Sequence, residues 1–322
     1  MTTTTFLTPV QENVRLVEAR MRAQTDLDNH PDLRGALEQL LASGGKRVRP
    51  TVVLLAGSML GADQDKLITL GAAVEMLHTA TLVHDDLIDS ALLRRGMATL
   101  NSKWSPAATV LTGDFLFARA ARLAADIDNV LLMKKFAETL ATIVNGELTQ
   151  LFAARGVVNR QNYYNRIYAK TASLFEMSSL SAAMLGTDDL VLQDALRIYG
   201  YQVGMAFQIV DDVLDFSGDQ IMVGKPLGSD LLQGLVTLPA IIYAELHPTD
   251  PDVKTLLEGN WQNEAAMRRL VDAIGRSNAI QLAMYEATSH VENALDALKP
   301  FPICVEREAL VDLARYIIDR SV

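Results

Sequence analysis

Apolar residues recur along the chain at the three- and four-residue spacing of α-helices, and the alternation that is typical of a β-strand is hard to find. Stretches such as RGALEQLLA, ATVLTGDFLFARAARLAA and EREALVDLARYIID show this spacing, and glycine or proline separates them. We therefore predict an all-α protein of about a dozen helices. We expect a single domain over residues 1–322, with a flexible N-terminus at residues 1–10.

Three predicted helices, at residues 67–89, 129–154 and 189–216, are apolar around most of their circumference. Helices of this kind are buried in a large bundle, whereas amphipathic helices lie on its surface. We expect them to form one bundle around a deep apolar cavity. Polar residues inside them are informative, because burying an unpaired charge is costly.

Two of these helices end in the same acidic pattern, DDxxD. Its six acids are Asp85, Asp86, Asp89, Asp211, Asp212 and Asp215. On a helix the first and fifth positions share a face. The alternative is that these acids are only solvent-exposed residues at helix ends. This alternative explains the two patterns poorly, because the helix dipole disfavours negative charge at a C-terminal end. Oxygen ligands without histidine or cysteine suit Mg²⁺, so the pattern predicts a magnesium site.

Two basic segments are suited to phosphate. In GGKRVRP, Lys46 and Arg49 precede a predicted helix whose first turn contains Pro50. A basic loop before a helix N-terminus can bind an anion, although an ordinary charged turn is the alternative. Arg94 and Arg95 follow the first acidic pattern, and guanidinium groups bind phosphate in a bidentate way.

Five further residues are weaker candidates on their own: His78, Lys170, Thr171, Gln208 and Lys225. Lys225 lies in GKPLGSD, whose glycines suggest a mobile loop. Lys170 and Thr171 start an apolar helix. His78 lies two turns before Asp85 on the same helix face, so it is either a core residue or a ligand contact. Gln208, three residues before the second acidic pattern, has the same two interpretations.

Composition narrows the class of protein. The net charge of −10 argues against a nucleic-acid-binding protein. The single cysteine, Cys304, rules out an intramolecular disulfide and indicates a cytoplasmic protein. We find no signal peptide and no uncharged apolar run long enough for a membrane span. Metal-binding acids, separate cationic sets and an apolar interior together predict a substrate pair of diphosphates with hydrocarbon tails.

The chain strongly resembles the trans-isoprenyl (polyprenyl) diphosphate synthase family. The resemblance covers most of the chain and rests on these segments, in order: GGKRVRP, HTATLVHDDLIDSALLRRG, VLTGDFLFARA, NGELTQL, KTASLF, AFQIVDDVLDFSGD and GKPLGSDLLQGLVTLPA. WSPAATVLTGD departs from the family pattern, which usually has glycine–asparagine after the tryptophan. The resemblance implies a homodimer with the helical bundle of isoprenoid synthases. It implies a prenyltransferase that condenses isopentenyl diphosphate head-to-tail onto an allylic diphosphate.

The resemblance also implies a role for each candidate residue. Three Mg²⁺ ions on the allylic diphosphate would have as direct ligands Asp85, Asp89 and Asp211, supported by Asp86, Asp212 and Asp215. The allylic diphosphate would also be bound by Arg94, Lys170 and Lys225. Isopentenyl diphosphate would be bound by Lys46, Arg49, His78 and Arg95. Thr171 and Gln208 would line the reacting carbons and stabilise the allylic cation.

Product length should depend on Ala80 and Thr81, which lie one turn before Asp85. In the family a large aromatic residue there stops growth early, whereas small residues leave room. We expect an octaprenyl- or solanesyl-type enzyme with a product of about C35–C50, C40–C45 being favoured. One alternative is a short-chain farnesyl or geranylgeranyl diphosphate synthase. Two others are a terpene cyclase, which would have a different second metal motif, and a non-catalytic partner subunit, which would have lost a motif.

Overall fold

A computed structural model of the chain describes residues 5–25, 31–42, 45–94, 96–152, 156–217 and 227–320. Its α-helices, in chain order, are α1 Gln11–Ala23, α2 Pro31–Ala42, α3 Val48–Met59, α4 Gln64–Ile88, α5 Pro106–Asp126, α6 Val130–Phe152, α7 Arg160–Ile167, α8 Ser173–Gly186, α9 Leu190–Ser217, α10 Ser229–Leu232, α11 Leu238–Leu246, α12 Pro251–Leu257, α13 Glu264–Gly275, α14 Ala279–Ala297 and α15 Val305–Asp319. A 3₁₀ helix covers Thr5–Val10, and a π-helix, Tyr168–Ala172, joins α7 to α8. The all-α prediction is confirmed.

Side-chain caps lie at the N-termini of two helices: α4, which carries the first acidic pattern, and α5, which packs against α4. The Asp63 carboxylate accepts from the backbone N–H of Lys66 at 2.9 Å and begins α4. The Ser105 hydroxyl accepts from the N–H of Ala108 at 3.3 Å, and Pro106 is the first residue of α5. Serine–proline is therefore a good helix start, and it occupies the place where this sequence departs from the family pattern.

Some short elements were not predicted. Strands β1, Leu93–Arg94, and β2, Met97–Ala98, pair in antiparallel fashion around Gly96, whose φ of +75° suits a tight turn. Two-residue strands are too short to show a periodicity of their own. Helices α1 and α7 were also missed, because their sequences are rich in charged or polar residues.

The described part of the N-terminus that was predicted to be flexible has regular structure. Thr5–Val10 forms the 3₁₀ helix, in which Phe6 and Val10 are only 1% and 2% exposed. Burying two apolar side chains holds this segment in place, since each contributes about 1.5–3 kcal/mol.

The chain divides into two compact units. The first contains residues 1–139, 177–197 and 300–312, and at its centre α4 packs against α1, α3 and α5. Among the described residues, α4 is the one helix long and apolar enough to cross a membrane, with a mean hydropathy of 1.3 in its most apolar window. That window is 78% buried inside the protein, which is typical of a core helix and confirms its predicted burial.

The second unit contains residues 140–176, 198–299 and 313–322. Here Arg160 of α7 joins two helices, because it donates to Glu245 of α11 at 2.9 Å and to Glu286 of α14 at 2.7 Å. Four of the five boundaries between the two units fall inside α6, α8, α9 and α15, and the fifth, at 299/300, falls between α14 and α15. The single-domain organisation stays a prediction.

The apolar helix predicted at 129–154 is buried only in part, through residues such as Leu132, Phe136 and Ile143. In α6, Val144, Leu148, Leu151 and Phe152 are exposed, and Phe152 reaches 82%. Periodicity identifies an apolar helix surface but does not say what covers it. Apolar side chains grouped on one surface helix are a feature of protein–protein contact sites.

Candidate active site

The first acidic pattern lies at the C-terminal end of α4 in the first unit. Asp85 is half-buried, Asp86 is buried, and Asp89, the residue after the helix, is exposed. Arg94 of β1 donates from Nε to Asp86 Oδ1 at 2.7 Å. The middle acid of the pattern is therefore held by a guanidinium group of the hairpin that follows it.

Arg47, in the middle of GGKRVRP, is a buried ion-pair centre. Its Nη1 donates to Glu75 of α4 at 3.0 Å, its Nε to Glu18 of α1 at 2.9 Å and its Nη2 to the Leu41 carbonyl at 2.8 Å. Burial alone would lower the pKa of Arg47, but Glu75 and Glu18 outweigh it and raise the pKa. Its φ of 46° is left-handed and costs about 1–2 kcal/mol, which these bonds offset.

A cavity of about 100 Å³ lies within the first unit. The charged or titratable side chains that line it are Arg47, Glu75, His78, Asp86, Arg94 and Lys103, and apolar residues such as Leu82, Met97 and Trp104 complete the wall. Apolar walls with a few convergent polar groups are typical of small-molecule sites. The structure thus brings His78 together with Asp86 and Arg94, as a ligand contact requires.

Other predicted residues of this unit do not line the cavity. Lys46 is exposed and Arg49 is half-buried, outside the cavity wall. Ala80 is fully buried on α4, and the half-buried Thr81 donates its hydroxyl to the His78 carbonyl at 2.7 Å. Their role in product length stays a prediction. Arg95 lies outside the described residues.

The second acidic pattern, in the second unit, belongs to a hydrogen-bonded chain. Asp212 is 4% exposed; the Tyr163 hydroxyl donates to its Oδ2 at 2.7 Å and the Gln208 amide to its Oδ1 at 2.9 Å. The Thr171 hydroxyl then donates to Gln208 Oε1 at 2.7 Å. Thr171 and Gln208, predicted as neighbours of the reacting carbons, are therefore in direct contact.

Burial is the main cause of an unusual pKa at this position. It raises the pKa of Asp212 to about 7, and the charge of Asp230 adds to the effect, while the hydrogen bonds from Tyr163 and Gln208 oppose it. Burial and the charge of Asp212 also raise the pKa of Tyr163 well above its usual value. Tyr163 therefore stays protonated and remains a donor.

The other two acids of this pattern also have partners. Asp211 Oδ1 lies 2.9 Å from Nη2 of Arg320, whose guanidinium group stacks 3.8 Å from the centre of the Phe207 ring. Asp215 accepts from the Ser229 hydroxyl at 2.8 Å and from the Asp230 N–H at 3.2 Å. Sequence reasoning missed Arg320 and Tyr163, because their spacing along the chain gives no signal of these pairings.

The predicted phosphate-binding Lys170 lies in the π-helix, together with Thr171. Its Nζ donates to Glu147 Oε1 at 2.8 Å, a residue of the NGELTQL segment. Short π-helical turns inside longer helices are frequent at functional sites, so this irregularity agrees with the predicted role. Lys225 lies outside the described residues.

Within the described part of the chain, no three or more His, Cys, Asp or Glu side chains are grouped so that they could hold one metal ion. The donor set still fits a hard cation chemically, because each pattern offers carboxylates alone. Asp86, Asp212 and Asp215 accept from protein donors and Asp211 pairs with Arg320, so the division into direct and supporting acids stays a prediction.

The fold and these side chains define a class of protein: an all-α protein in which two helices end in acidic patterns, each with an arginine beside it. The polyprenyl synthetase family model matches residues 30–274, well over half of the chain. The chain therefore belongs to the polyprenyl synthetase family and is a prenyl transferase. The family and transferase predictions are confirmed.

Similar proteins cover nearly the whole chain. An all-trans-nonaprenyl-diphosphate synthase (geranyl-diphosphate specific) from Rhodobacter capsulatus is 38% identical, over 88% of this chain and 87% of its own. A heptaprenyl diphosphate synthase component 2 from Geobacillus stearothermophilus is 37% identical, over 97% of both chains. A solved polyprenyl synthase from Caulobacter crescentus CB15, complexed with calcium and isoprenyl diphosphate, superposes with a TM-score of 0.90 at 34% identity, over 99% of this chain and 98% of its own.

Proposed function

We propose that the protein condenses isopentenyl diphosphate head-to-tail onto an allylic diphosphate and releases diphosphate, building a long all-trans polyprenyl diphosphate. The observation that carries the proposal is family membership together with both acidic patterns and the basic segment intact. The relatives named for long products, and the solved relative with calcium and isoprenyl diphosphate, support it.

The proposed cofactor is Mg²⁺, within a family that uses a divalent metal. Asp85, Asp89 and Asp211 are the proposed direct ligands, as the resemblance to the family implies, and Asp86, Asp212 and Asp215 are the proposed supporting acids. When bound, the ions supply positive charge that neutralises the leaving diphosphate.

Substrate binding and the exclusion of water are assigned to residues of the protein itself. Arg94, Lys170 and Lys225 bind the allylic diphosphate and favour its departure, while isopentenyl diphosphate is held by Lys46, Arg49, His78 and Arg95. The double bond of isopentenyl diphosphate attacks the allylic cation, and apolar walls exclude water from it. Loss of a proton then regenerates an allylic product. We assign this proton to the released diphosphate and nominate no side chain as base.

The assay that tests this function uses purified protein, Mg²⁺, farnesyl diphosphate and labelled isopentenyl diphosphate. Long prenyl diphosphates are the expected product. A hydrocarbon product would instead indicate a cyclase, and no product would indicate a non-catalytic subunit or a missing partner. Omitting Mg²⁺, with a chelator present, should abolish turnover.

For product length we propose about C35–C50, with C40–C45 favoured, since Ala80 and Thr81 leave room. Ala80→Phe should shorten the product, because a phenylalanine fills the space of the later isoprene units. Thr81→Phe is the companion variant at a half-buried position. Chromatography of the dephosphorylated products measures length, and unchanged length in both folded variants would contradict this proposal.

For assembly we propose a cytoplasmic homodimer. The exposed apolar side chains of α6 between Val144 and Phe152 support it, because apolar side chains grouped on one helix surface are a feature of protein–protein contact sites. The relative named as component 2 makes a two-component synthase the competing arrangement. Light scattering on the active protein should give twice the chain mass. A monomer at all concentrations, or activity only with a second protein, would contradict the homodimer, and cell fractionation tests the location.

A further inference from the structure

We propose that Tyr163 is a positioning residue, which fixes the direction of the hydrogen-bonded chain Tyr163–Asp212–Gln208–Thr171. That direction gives Gln208 and Thr171 oxygen lone pairs suited to an allylic cation. The inference rests on the proposed function, in which these two residues stabilise the cation.

The direction of the chain follows from its chemistry. Asp212 accepts at both of its oxygens, from the Tyr163 hydroxyl at Oδ2 and from the Gln208 NH₂ group at Oδ1, at 2.7 and 2.9 Å. The amide oxygen then points the other way and accepts the Thr171 proton at 2.7 Å. With its one proton used, Thr171 can offer only lone pairs to anything else. A flipped Gln208 would present a donor there, which repels a cation.

Tyr163 engages the oxygen of Asp212 that Gln208 leaves open. Both side chains are almost fully buried, at 1% and 4% exposure, so no bulk water can replace the hydroxyl. Losing it would leave a carboxylate oxygen without this donor and free Asp212 to rotate. Rotation of Asp212 removes the constraint that holds the amide of Gln208 in its orientation.

The hydrogen-bonded chain connects two packed elements: both of its ends lie on one element, and its middle lies on the other. Tyr163 belongs to α7 and Thr171 to the π-helix that continues it, whereas Gln208 and Asp212 lie one turn apart on α9. The backbones come close: a Cβ on Gly204 of α9 would lie 2.5 Å from Ala172 Cα. This close packing lets a hydroxyl on α7 control an amide on α9.

The test compares two adjacent tyrosines. Tyr163→Phe and Tyr164→Phe each remove one hydroxyl that donates to a carboxylate, but Tyr164 donates to Glu286 rather than to Asp212. We expect kcat to fall about tenfold in Tyr163→Phe, with KM for isopentenyl diphosphate unchanged. Tyr164→Phe should keep the wild-type kcat. Thermal melting of both variants reports any general loss of stability.

Two further variants keep the test decisive. Gln208→Glu cannot donate to Asp212, so it should lose at least as much kcat, even if Tyr163→Phe folds poorly. Adding Tyr163→Phe to Asp212→Asn should cause no further loss, because the control by Tyr163 acts through Asp212.

Three results would overturn the inference: wild-type kcat in folded Tyr163→Phe or in Gln208→Glu, equal losses in the two tyrosine variants, or multiplicative losses in the double variant. A wild-type protein that makes no prenyl product would overturn the proposed function itself, and this inference with it. The two failures are therefore distinguishable.

Discussion

The acidic patterns at the ends of α4 and α9 have the same spacing, but different partners surround them. In α4 the buried acids are each paired with arginine, Glu75 with Arg47 and Asp86 with Arg94. In α9 the corresponding buried acid, Asp212, accepts hydrogen bonds from a phenol and an amide, and the charge of Arg166 is the weakest influence on its pKa. The two patterns therefore have the same spacing but different electrostatic environments.

The difference has a physical consequence. A cation beside a buried carboxylate compensates its lost hydration, whereas neutral donors compensate it only in part. The pKa of Asp212 is accordingly raised to about 7, mainly by burial. We infer that ion pairs fix the buried charges of α4. At the end of α9, the polarity depends on how the hydrogen-bonding side chains are oriented.

The largest expected effect concerns the proposed metal-binding carboxylates, which both acidic patterns contain. Asp85→Asn and Asp211→Asn each remove a proposed metal-binding carboxylate, so kcat/KM should fall about 10³-fold in both. The control is Asp188→Asn, from an exposed aspartate pair that precedes α9 instead of ending it. Steady-state kinetics with saturating Mg²⁺ measures the losses. A large loss in only one of the two variants would mean that the patterns do not share a role.

The next effect tests the ion pairs of α4. Arg47→Met leaves Glu75 buried, so the free energy of unfolding should fall by about 3–5 kcal/mol. Arg160→Met is the matched control, because Arg160 also joins two glutamates but is 36% exposed, and it should cost about 1 kcal/mol. Urea unfolding measures both. Adding Glu75→Gln to Arg47→Met should recover part of the loss, and equal losses for the two arginines would contradict the argument.

Much of the fold was predictable because helix periodicity is a local property. The spacing of apolar residues predicted α4 and its burial, and the acidic patterns were visible at its end and at the end of α9. The acidic pair Asp188–Asp189 precedes α9, where the helix dipole favours negative charge, and Asp189 accepts from the first-turn N–H of Val191 at 2.8 Å.

What the sequence did not reveal is pairing at long range. Tyr163 and Asp212 are 49 residues apart, and no spacing rule connects a phenol to an acid across that distance. Arg47 was one basic residue among three in GGKRVRP, and only the fold shows that it is the buried one. Exposure of α6 was missed for a related reason, since periodicity cannot identify the partner of an apolar face.

The smallest expected effect is a pH dependence of stability specific to α9. The pKa of Asp212 is about 7 in the folded protein against an ordinary value of 3.8, so between these pH values the folded state keeps a proton that the unfolded chain has lost. Stability from this group therefore falls as pH rises through about 7, by roughly 2.5 kcal/mol between pH 5 and pH 8.

Urea unfolding of metal-free protein at pH 5, 6, 7 and 8, with a chelator present, measures this slope. Asp212→Asn removes the titrating group and should flatten the curve by that amount, while Asp86→Asn, the same position of the other pattern, should leave the contribution of Asp212 in place. Parallel curves for wild type and Asp212→Asn would mean that the neutral donors stabilise the carboxylate as well as an arginine does. In that case the two ends of α4 and α9 would be electrostatically equivalent after all.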